Sequence, residues 1–198
     1  MTTAIIGTGG IGSVIARELA SGGEALRLAS ADSESARTLA AQIGPAAVVA
    51  AGNRDAVQGA GTVVLALRFT VLKGVIDEIG GFLAGQLVVV PSNPLTLDAH
   101  GHLARVLPDG QSSGRVVAGW LPAGARLAMA FGTLPADLLE SASNRSPDPA
   151  VLFYVTDDDR AGQDIERLIR TAGPPRGGRR PSRSRSQPRR GTVIDRCP

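Results

Sequence analysis

The sequence predicts an α/β fold built on a doubly wound parallel sheet. Short β-branched or aliphatic runs alternate along the chain with amphipathic stretches, an order typical of parallel sheets assembled from βαβ units. The 198 residues include 25 glycines and 13 prolines, which suits the many tight turns of such units. Hydrophobic residues make up 43% of the chain and charged residues 20%, close to globular averages, so we expect one core.

Strands and helices are predicted in alternation from the hydrophobic pattern. A first helix carries Ile11, Val14, Ile15 and Leu19 at helical spacing. Further helices are predicted at Ser33–Ile43, Val71–Ile79 and Arg160–Thr171, the last of them ending before Gly173. The predicted strands are Thr3–Ile6, Ala25–Ala29, Ala47–Ala50, Thr62–Leu67, Gln86–Val90, Arg126–Phe131 and Val151–Val155.

The basic charge of the chain is concentrated at its C-terminal end. Residues 174–198 carry eight Arg and one Asp, whereas residues 1–173 hold 13 basic and 17 acidic groups, a net charge of −4. We predict a folded domain over residues 1–173 and a disordered Arg-rich tail over residues 174–198. Two interpretations of the tail remain, a frameshifted end or an arm that binds polyanions.

Composition also limits partners and compartment. Aromatic residues make up 3% of the chain, too few for a surface that stacks single-stranded nucleic acid, so no nucleic-acid partner is expected for the folded domain. The single cysteine, Cys197, excludes an internal disulfide, and no apolar run reaches the roughly 18–20 residues that span a bilayer. We expect a cytoplasmic protein with no membrane partner.

A glycine motif at the end of the first predicted strand indicates a dinucleotide site. Gly7, Gly9 and Gly12 have GxGxxG spacing, follow an apolar strand and open an amphipathic helix. In a Rossmann-type domain the first glycine permits the turn, the second admits a pyrophosphate and the third lets the helix pack on the strand. A purely structural glycine turn is the alternative. The predicted cofactor-binding residues of this loop are Gly7, Thr8, Gly9, Gly10, Ile11 and Gly12.

The end of the second strand is predicted to lie at the adenosine ribose. An acid there selects the free 2′-hydroxyl of NAD, whereas hydroxyl or basic groups accept the 2′-phosphate of NADP. Ser30 stands at the strand end, Ser33 is the expected N-cap of the next helix, and Arg37 is within reach of a phosphate. Asp32 is either a cofactor contact or an acid of the first helical turn, and both interpretations stay open.

Two later strand ends supply further candidates. Arg68 follows the fourth strand and either lines the cleft or is an exposed loop charge. Ser92, Asn93 and Pro94 form a rigid turn at the carboxyl edge of the fifth strand, the edge where such sheets bind ligands. Asn93 is the candidate that orients a nicotinamide, with a turn of no chemical role as the alternative. No acid or base residue is expected.

The sequence does not favour a metal site or a serine hydrolase. His100 and His102 have only Asp98 nearby, and two ligands do not make a metal site, so we expect an exposed pair and no metal. The acidic run at residues 157–159 is expected to cap a helix. One GxSxG spacing occurs, GQSSG at residues 110–114, but it does not follow a predicted strand and no Ser/His/Asp set is placed with it, which argues against a serine hydrolase.

These residues together resemble the coenzyme F-420-dependent NADP oxidoreductases. The resemblance rests on GTGGIG at residues 7–12, LAS at residues 28–30, SNPL at residues 92–95 and AFGTLPA at residues 130–136, and it covers roughly residues 3–173. It implies that Ser30 helps to hold the NADP phosphate, that Asn93 and Pro94 border the nicotinamide, and that Phe131 and Thr133 help to form the deazaflavin side of the cleft.

The resemblance implies hydride transfer between NADP(H), with NAD the less favoured nucleotide, and a deazaflavin-type coenzyme F-420. A homodimer is a family expectation. Ala31 replaces a family arginine, and Met129 and Gly132 stand where lysine and asparagine are common. The alternative is a non-catalytic NAD(P)-binding module that senses redox state or binds a partner, or an inactivated copy with an altered C-terminal end.

Overall fold

The computed structural model describes residues 2–143 and 152–172. The predicted tail over residues 174–198 lies outside the described residues, as do Gly173 and the first residue of the predicted strand Val151–Val155. Every structural statement below refers to the two described ranges.

A seven-stranded sheet forms the centre of the molecule, with strand order β3-β2-β1-β4-β5-β8-β9. Its neighbouring strands are parallel except for β9, which pairs antiparallel with β8. The order reverses at β1, the arrangement expected of a doubly wound sheet. The strands are β1 (Thr2–Ile6), β2 (Ala25–Ala29), β3 (Ala47–Val49), β4 (Thr62–Leu65), β5 (Leu87–Val90), β6 (Leu95–Leu97), β7 (Leu103–Arg105), β8 (Arg126–Ala130) and β9 (Tyr154–Val155), of which β6 and β7 form a separate antiparallel hairpin.

Helices cover both faces of this sheet. One face packs against α1, α2, α6 and α7 through a buried cluster that includes Ile15, Leu39 and Ile165. The other packs against α3, α4 and α5 through Val57 and Leu72 among others. The described helices include none long and apolar enough to cross a membrane. The helices are α1 (Gly10–Ser21), α2 (Ser33–Ile43), α3 (Asn53–Val57), α4 (Phe69–Ile79), α5 (Ser113–Trp120), α6 (Ala136–Ser143) and α7 (Asp159–Thr171).

The predicted fold class is confirmed, with several elements added. The bounds of β2 and α2 agree with the prediction, β1 begins one residue earlier than predicted, at Thr2, and the other predicted strands are shorter by one or more residues. Helices α3, α5 and α6 and the β6–β7 hairpin were not predicted, because none of them shows a long apolar stripe in the sequence. The predicted N-cap of α2 is wrong. Asp32, not Ser33, is the N-cap, and its Oδ1 accepts the Glu34 N–H at 3.0 Å.

Buried polar groups fasten α7 to the start of the sheet. Glu24, 5% exposed, accepts the Thr3 hydroxyl at 2.9 Å and lies 3.2 Å from Arg167 Nη1. A second ion pair joins Arg126 of β8 to Asp164 at 2.5 Å. Because an uncompensated buried charge is costly, these partners fix where α7 lies across the sheet.

Helix α6 packs beside the first helix through a cluster of charges. Arg17 Nη2 lies 3.3 Å from Glu140 Oε1. Glu18, one residue further along α1, is half-buried, and its pKa is raised by burial first and by the negative charge of Glu140 second, while Arg17 opposes the rise. A raised pKa in the folded state means that the Glu18 carboxylate disfavours folding, a penalty that is absent at low pH and grows as pH rises through that pKa.

We predict that Glu18→Gln increases stability at pH 7.5 and gives no increase at pH 4, because glutamine keeps the shape of the side chain without the desolvated charge. Thermal unfolding of both proteins from pH 4 to pH 8 measures the effect. Asp109→Asn, at an exposed turn, is the control and should leave the melting temperature unchanged across this range. A Glu18→Gln protein that melts lower than the wild type at pH 7.5 would contradict the prediction.

Candidate functional site

The glycine loop between β1 and α1 is held by two close backbone approaches. Gly7 has φ +97°, and a Cβ at this position would lie 2.3 Å from the Ala66 carbonyl oxygen. A Cβ at Gly12 would lie 2.0 Å from the Gly7 carbonyl oxygen. Both contacts exclude any side chain, so Gly7 and Gly12 have the turn and packing roles that the motif predicts.

Gly9 differs from the other two glycines because it faces open space. No atom lies within 4 Å of the position that a Cβ would take there, and its φ of −72° is accessible to any residue. The Ser13 N–H makes the first bond of the helix, to the Gly9 carbonyl at 2.8 Å, so the N–H groups of Gly10, Ile11 and Gly12 precede the intrahelical ladder. Open space in front of such a helix start fits a pyrophosphate.

Thr8 is placed differently from its predicted role as a hydroxyl donor to the cofactor. Its side chain is buried, 5% exposed, and its Oγ1 lies 2.7 Å from Ser35 Oγ. The hydroxyl therefore has a protein partner on α2 and ties the glycine loop to that helix. A cavity of about 350 Å³ opens between α1 and α2 at this point, with Thr8, Ser35 and Asp32 in its lining.

The end of β2 brings together the residues predicted near the adenosine ribose. Ser30 directly follows the strand and is half-buried. Arg37 is exposed, and its Nη1 donates to Glu34 Oε2 at 3.2 Å. Asp32 has the helix-capping role that one of the two sequence interpretations assigned to it. The capping bond occupies Oδ1, and Oδ2 has no partner in the described parts of the chain.

The turn after β5 ties two neighbouring strand ends together. The Ser92 hydroxyl donates to the carbonyl of Leu67, which follows β4. The side-chain amide of Asn93 donates to the carbonyl of Gly132, which follows β8, at 2.9 Å. Leu67 in turn borders Gly7, so the ends of β1, β4, β5 and β8 form one continuous edge. The turn is thus held rigidly at the place where ligands bind in open α/β sheets.

A cleft of about 430 Å³ opens beside this turn. Three of the predicted site residues besides Asn93 line it, namely Ser92, Pro94 and Thr133. Apolar side chains from β8 and from the segment at the start of β9 contribute to its lining, among them Met129 and Phe153. Sequence reasoning missed Phe153, Arg105, Ser112 and Ser113 among others, because these residues come from separate parts of the chain that meet only in the folded protein.

The expectation that Phe131 forms a side of the cleft is wrong for its side chain. Phe131 is 1% exposed and lies in the hydrophobic core beneath α1 and α6. Its backbone has φ +64°, a conformation rare for a bulky residue. The backbone as it stands requires a glycine at the next position, Gly132, because a Cβ there would lie 2.5 Å from the Pro91 carbonyl oxygen. An asparagine at this position, which is common in the resembling family, would require this backbone to shift.

Two further predicted positions lie away from the cleft. Arg68 is exposed at the N-cap of α4, has no partner among the described residues and does not line the cleft, as expected of a loop charge. His100 and His102 lie at the turn of the β6–β7 hairpin with their rings 6.2 Å apart. In residues 2–143 and 152–172, no group of three or more His, Cys, Asp or Glu side chains is arranged to hold a metal ion.

A family model matches the N-terminal part of the chain. Residues 2–94 match the model of a family described as NADP oxidoreductase, coenzyme F-420-dependent. The resemblance found in the sequence is therefore confirmed over this part of the chain, which contains the glycine loop and the Ser92–Asn93 turn. No curated protein matches the chain.

Solved structures show the same fold. A hypothetical protein from Sinorhizobium meliloti is 26% identical with a TM-score of 0.75, over 87% of this chain and 82% of that one. A candidate F-420-dependent NADP reductase from an Arthrobacter species is 22% identical with a TM-score of 0.75, over 87% and 81%. A reductive aminase from Aspergillus terreus, solved with NADPH, is 17% identical with a TM-score of 0.64, over 87% of this chain and 53% of its own.

We predict that Gly9→Ala and Gly12→Ala separate binding from stability. Gly9→Ala has room in the folded protein, so its melting temperature should match the wild type while its affinity for NADPH falls, because the methyl group occupies the pyrophosphate space. Gly12→Ala should cost about 1–3 kcal/mol of stability through overpacking. Thermal unfolding and NADPH fluorescence titration measure the two effects. Undiminished NADPH binding by Gly9→Ala would place the pyrophosphate elsewhere.

Proposed function

We propose that this chain, whose residues 2–94 match the F-420-dependent NADP oxidoreductase family, transfers a hydride between NADP(H) and a deazaflavin-type acceptor such as coenzyme F-420. The observation that carries the proposal is the cleft beside Asn93, which adjoins the glycine loop along one continuous edge of the sheet. When bound, the nicotinamide would supply the hydride and the deazaflavin would accept it.

The glycine loop is the proposed site of the dinucleotide. Gly9 leaves the space for a pyrophosphate, and α1 begins at the next residue without a side-chain cap, so its first N–H groups are available to an anion. From there the nucleotide would extend along the carboxyl edge past Leu67 to the turn at Asn93. Ser30 and Arg37 lie on the opposite, adenosine side of the loop, where the proposal assigns them to the ribose and its phosphate.

The lining of the cleft fits a reaction governed by positioning. Among the described residues that line it, there is no carboxylate, imidazole, lysine or thiol. The one phenol, Tyr154, donates to Glu166 Oε1 at 2.8 Å. Hydride transfer between two bound coenzymes depends on their close alignment and on exclusion of water more than on a protein acid or base. The apolar wall at Met129 and Phe153 suits a flat ring, and Arg105 suits an anionic chain attached to it.

The assay for this function follows NADPH oxidation at 340 nm with purified coenzyme F-420 as acceptor, by the full chain. Turnover that depends on both compounds is the expected result. Binding of NADPH without turnover by any acceptor would instead favour the non-catalytic nucleotide-binding module.

The cytoplasmic location and the homodimer stay predictions. Size-exclusion chromatography with light scattering measures the oligomeric state.

We predict that Asn93→Ala lowers kcat and leaves the affinity for NADPH nearly unchanged. The change removes the bond to the Gly132 carbonyl that fixes the turn, while the glycine loop that binds the pyrophosphate stays intact. The loss should be about tenfold or more, since a displacement of about 1 Å can cost roughly 100-fold in rate.

The matched control for this variant is Asn53→Ala. Asn53 likewise donates its side-chain amide, to Glu78 Oε2 at 2.8 Å, but it lies on α3 away from the cleft. Its loss should leave kcat unchanged. Equal losses of kcat in the two variants would mean that Asn93 acts through general stability and not through the position of the nicotinamide.

A further inference from the structure

The junction between β2 and α2 carries more negative than positive charge. Asp32 caps the helix and Glu34 stands in its first turn. Arg37 is the one cation between residues 30 and 37, and Glu34 already faces it at 3.2 Å. The three groups sum to a net charge of −1, although a 2′-phosphate of NADP bound here would bring up to two further negative charges.

The cation that lines the neighbouring cavity is also paired with a carboxylate. Arg17 lines the cavity between α1 and α2, and its Nη2 lies 3.3 Å from Glu140 Oε1. Position 31, between Ser30 and Asp32, is an alanine that adds no charge. Along residues 30–37 and in the lining of this cavity, every described cation therefore has an acidic partner.

Asp32 can accept a further hydrogen bond. The capping bond uses Oδ1, whereas Oδ2 has no partner within the described ranges, and the side chain is exposed. Asp32 and Thr8 of the glycine loop line the same cavity, so this carboxylate lies on the side of α2 that faces the loop. A ribose hydroxyl is a donor that a carboxylate accepts, whereas a ribose phosphate is repelled by it.

We infer that Asp32 is a specificity-determining residue that accepts a hydrogen bond from the 2′-hydroxyl of the adenosine ribose. The site then binds NADH with an affinity within about tenfold of its affinity for NADPH, instead of excluding NADH. This inference rests on the proposed nucleotide site and deepens it, since it states which nucleotides the site admits. Helix capping and ribose binding use different oxygens of the same side chain.

The test measures dissociation constants of NADH and NADPH by fluorescence titration for the wild type, Asp32→Asn and Ala31→Arg. Asparagine caps helices as well as aspartate does, so Asp32→Asn should keep the wild-type melting temperature. We expect it to weaken NADH binding by about tenfold and to strengthen NADPH binding. Ala31→Arg should strengthen NADPH binding by about tenfold or more and leave NADH unchanged, because it adds a cation without an acidic partner.

Three results separate this inference from the proposed function. If the wild type binds NADPH more than about 100-fold tighter than NADH, or if Asp32→Asn leaves NADH binding unchanged, Asp32 does not set selectivity and the site itself stands. If the wild type binds neither nucleotide, the proposed site fails and the inference fails with it. Asp109→Asn, at an exposed turn, controls for the loss of one negative charge and should alter neither dissociation constant.

Discussion

The close approach of two backbone segments at the end of β1 is the constraint on which the site depends. The chain turns beneath the Ala66 carbonyl at Gly7, and α1 comes back against the Gly7 carbonyl at Gly12. With any side chain at either position the helix could not begin so near the strand. The space at Gly9 is open, and it lies at the start of α1, where the first N–H groups of a helix have no intrahelical partner. The packing of α1 on β1 and the proposed nucleotide site therefore have one cause, the missing Cβ atoms.

The cleft, which is the proposed acceptor side of the site, depends on a second set of contacts at the same edge. Ser92 and Asn93 each donate to a carbonyl on a neighbouring strand end, and the backbone at Gly132 passes directly beneath Pro91. Phe131 takes a left-handed backbone conformation just before this point, and its buried ring secures that bend in the core. A strained residue next to a candidate site persists only where its surroundings hold it, and here the core does so.

The charged side chains fall into two groups, ion pairs that hold α7 on the sheet and an excess of negative charge at the β2–α2 junction. Glu24 with Arg167 and Arg126 with Asp164 fasten α7 across the sheet. At the β2–α2 junction negative charge is in excess. Arg37 is paired with Glu34, whereas Oδ2 of Asp32 has no partner among the described residues. Residues 2–94 match a family described as NADP oxidoreductases, and these local charges are the basis for the inference that the 2′-phosphate is not strictly required.

The sequence by itself determined the nucleotide half of this protein. The glycine spacing, the strands β1 to β5 and the bounds of α2 follow from local patterns, because a buried strand, an amphipathic helix and a Cβ-free turn each have a signature within a few residues. The tertiary structure alone decided the antiparallel β9, the Thr8–Ser35 contact, the burial of Phe131 and the meeting of Arg105, Ser112 and Phe153 at the cleft. These depend on contacts between residues far apart in the chain, whose positions are set by packing and by backbone bonds that no short stretch of sequence specifies.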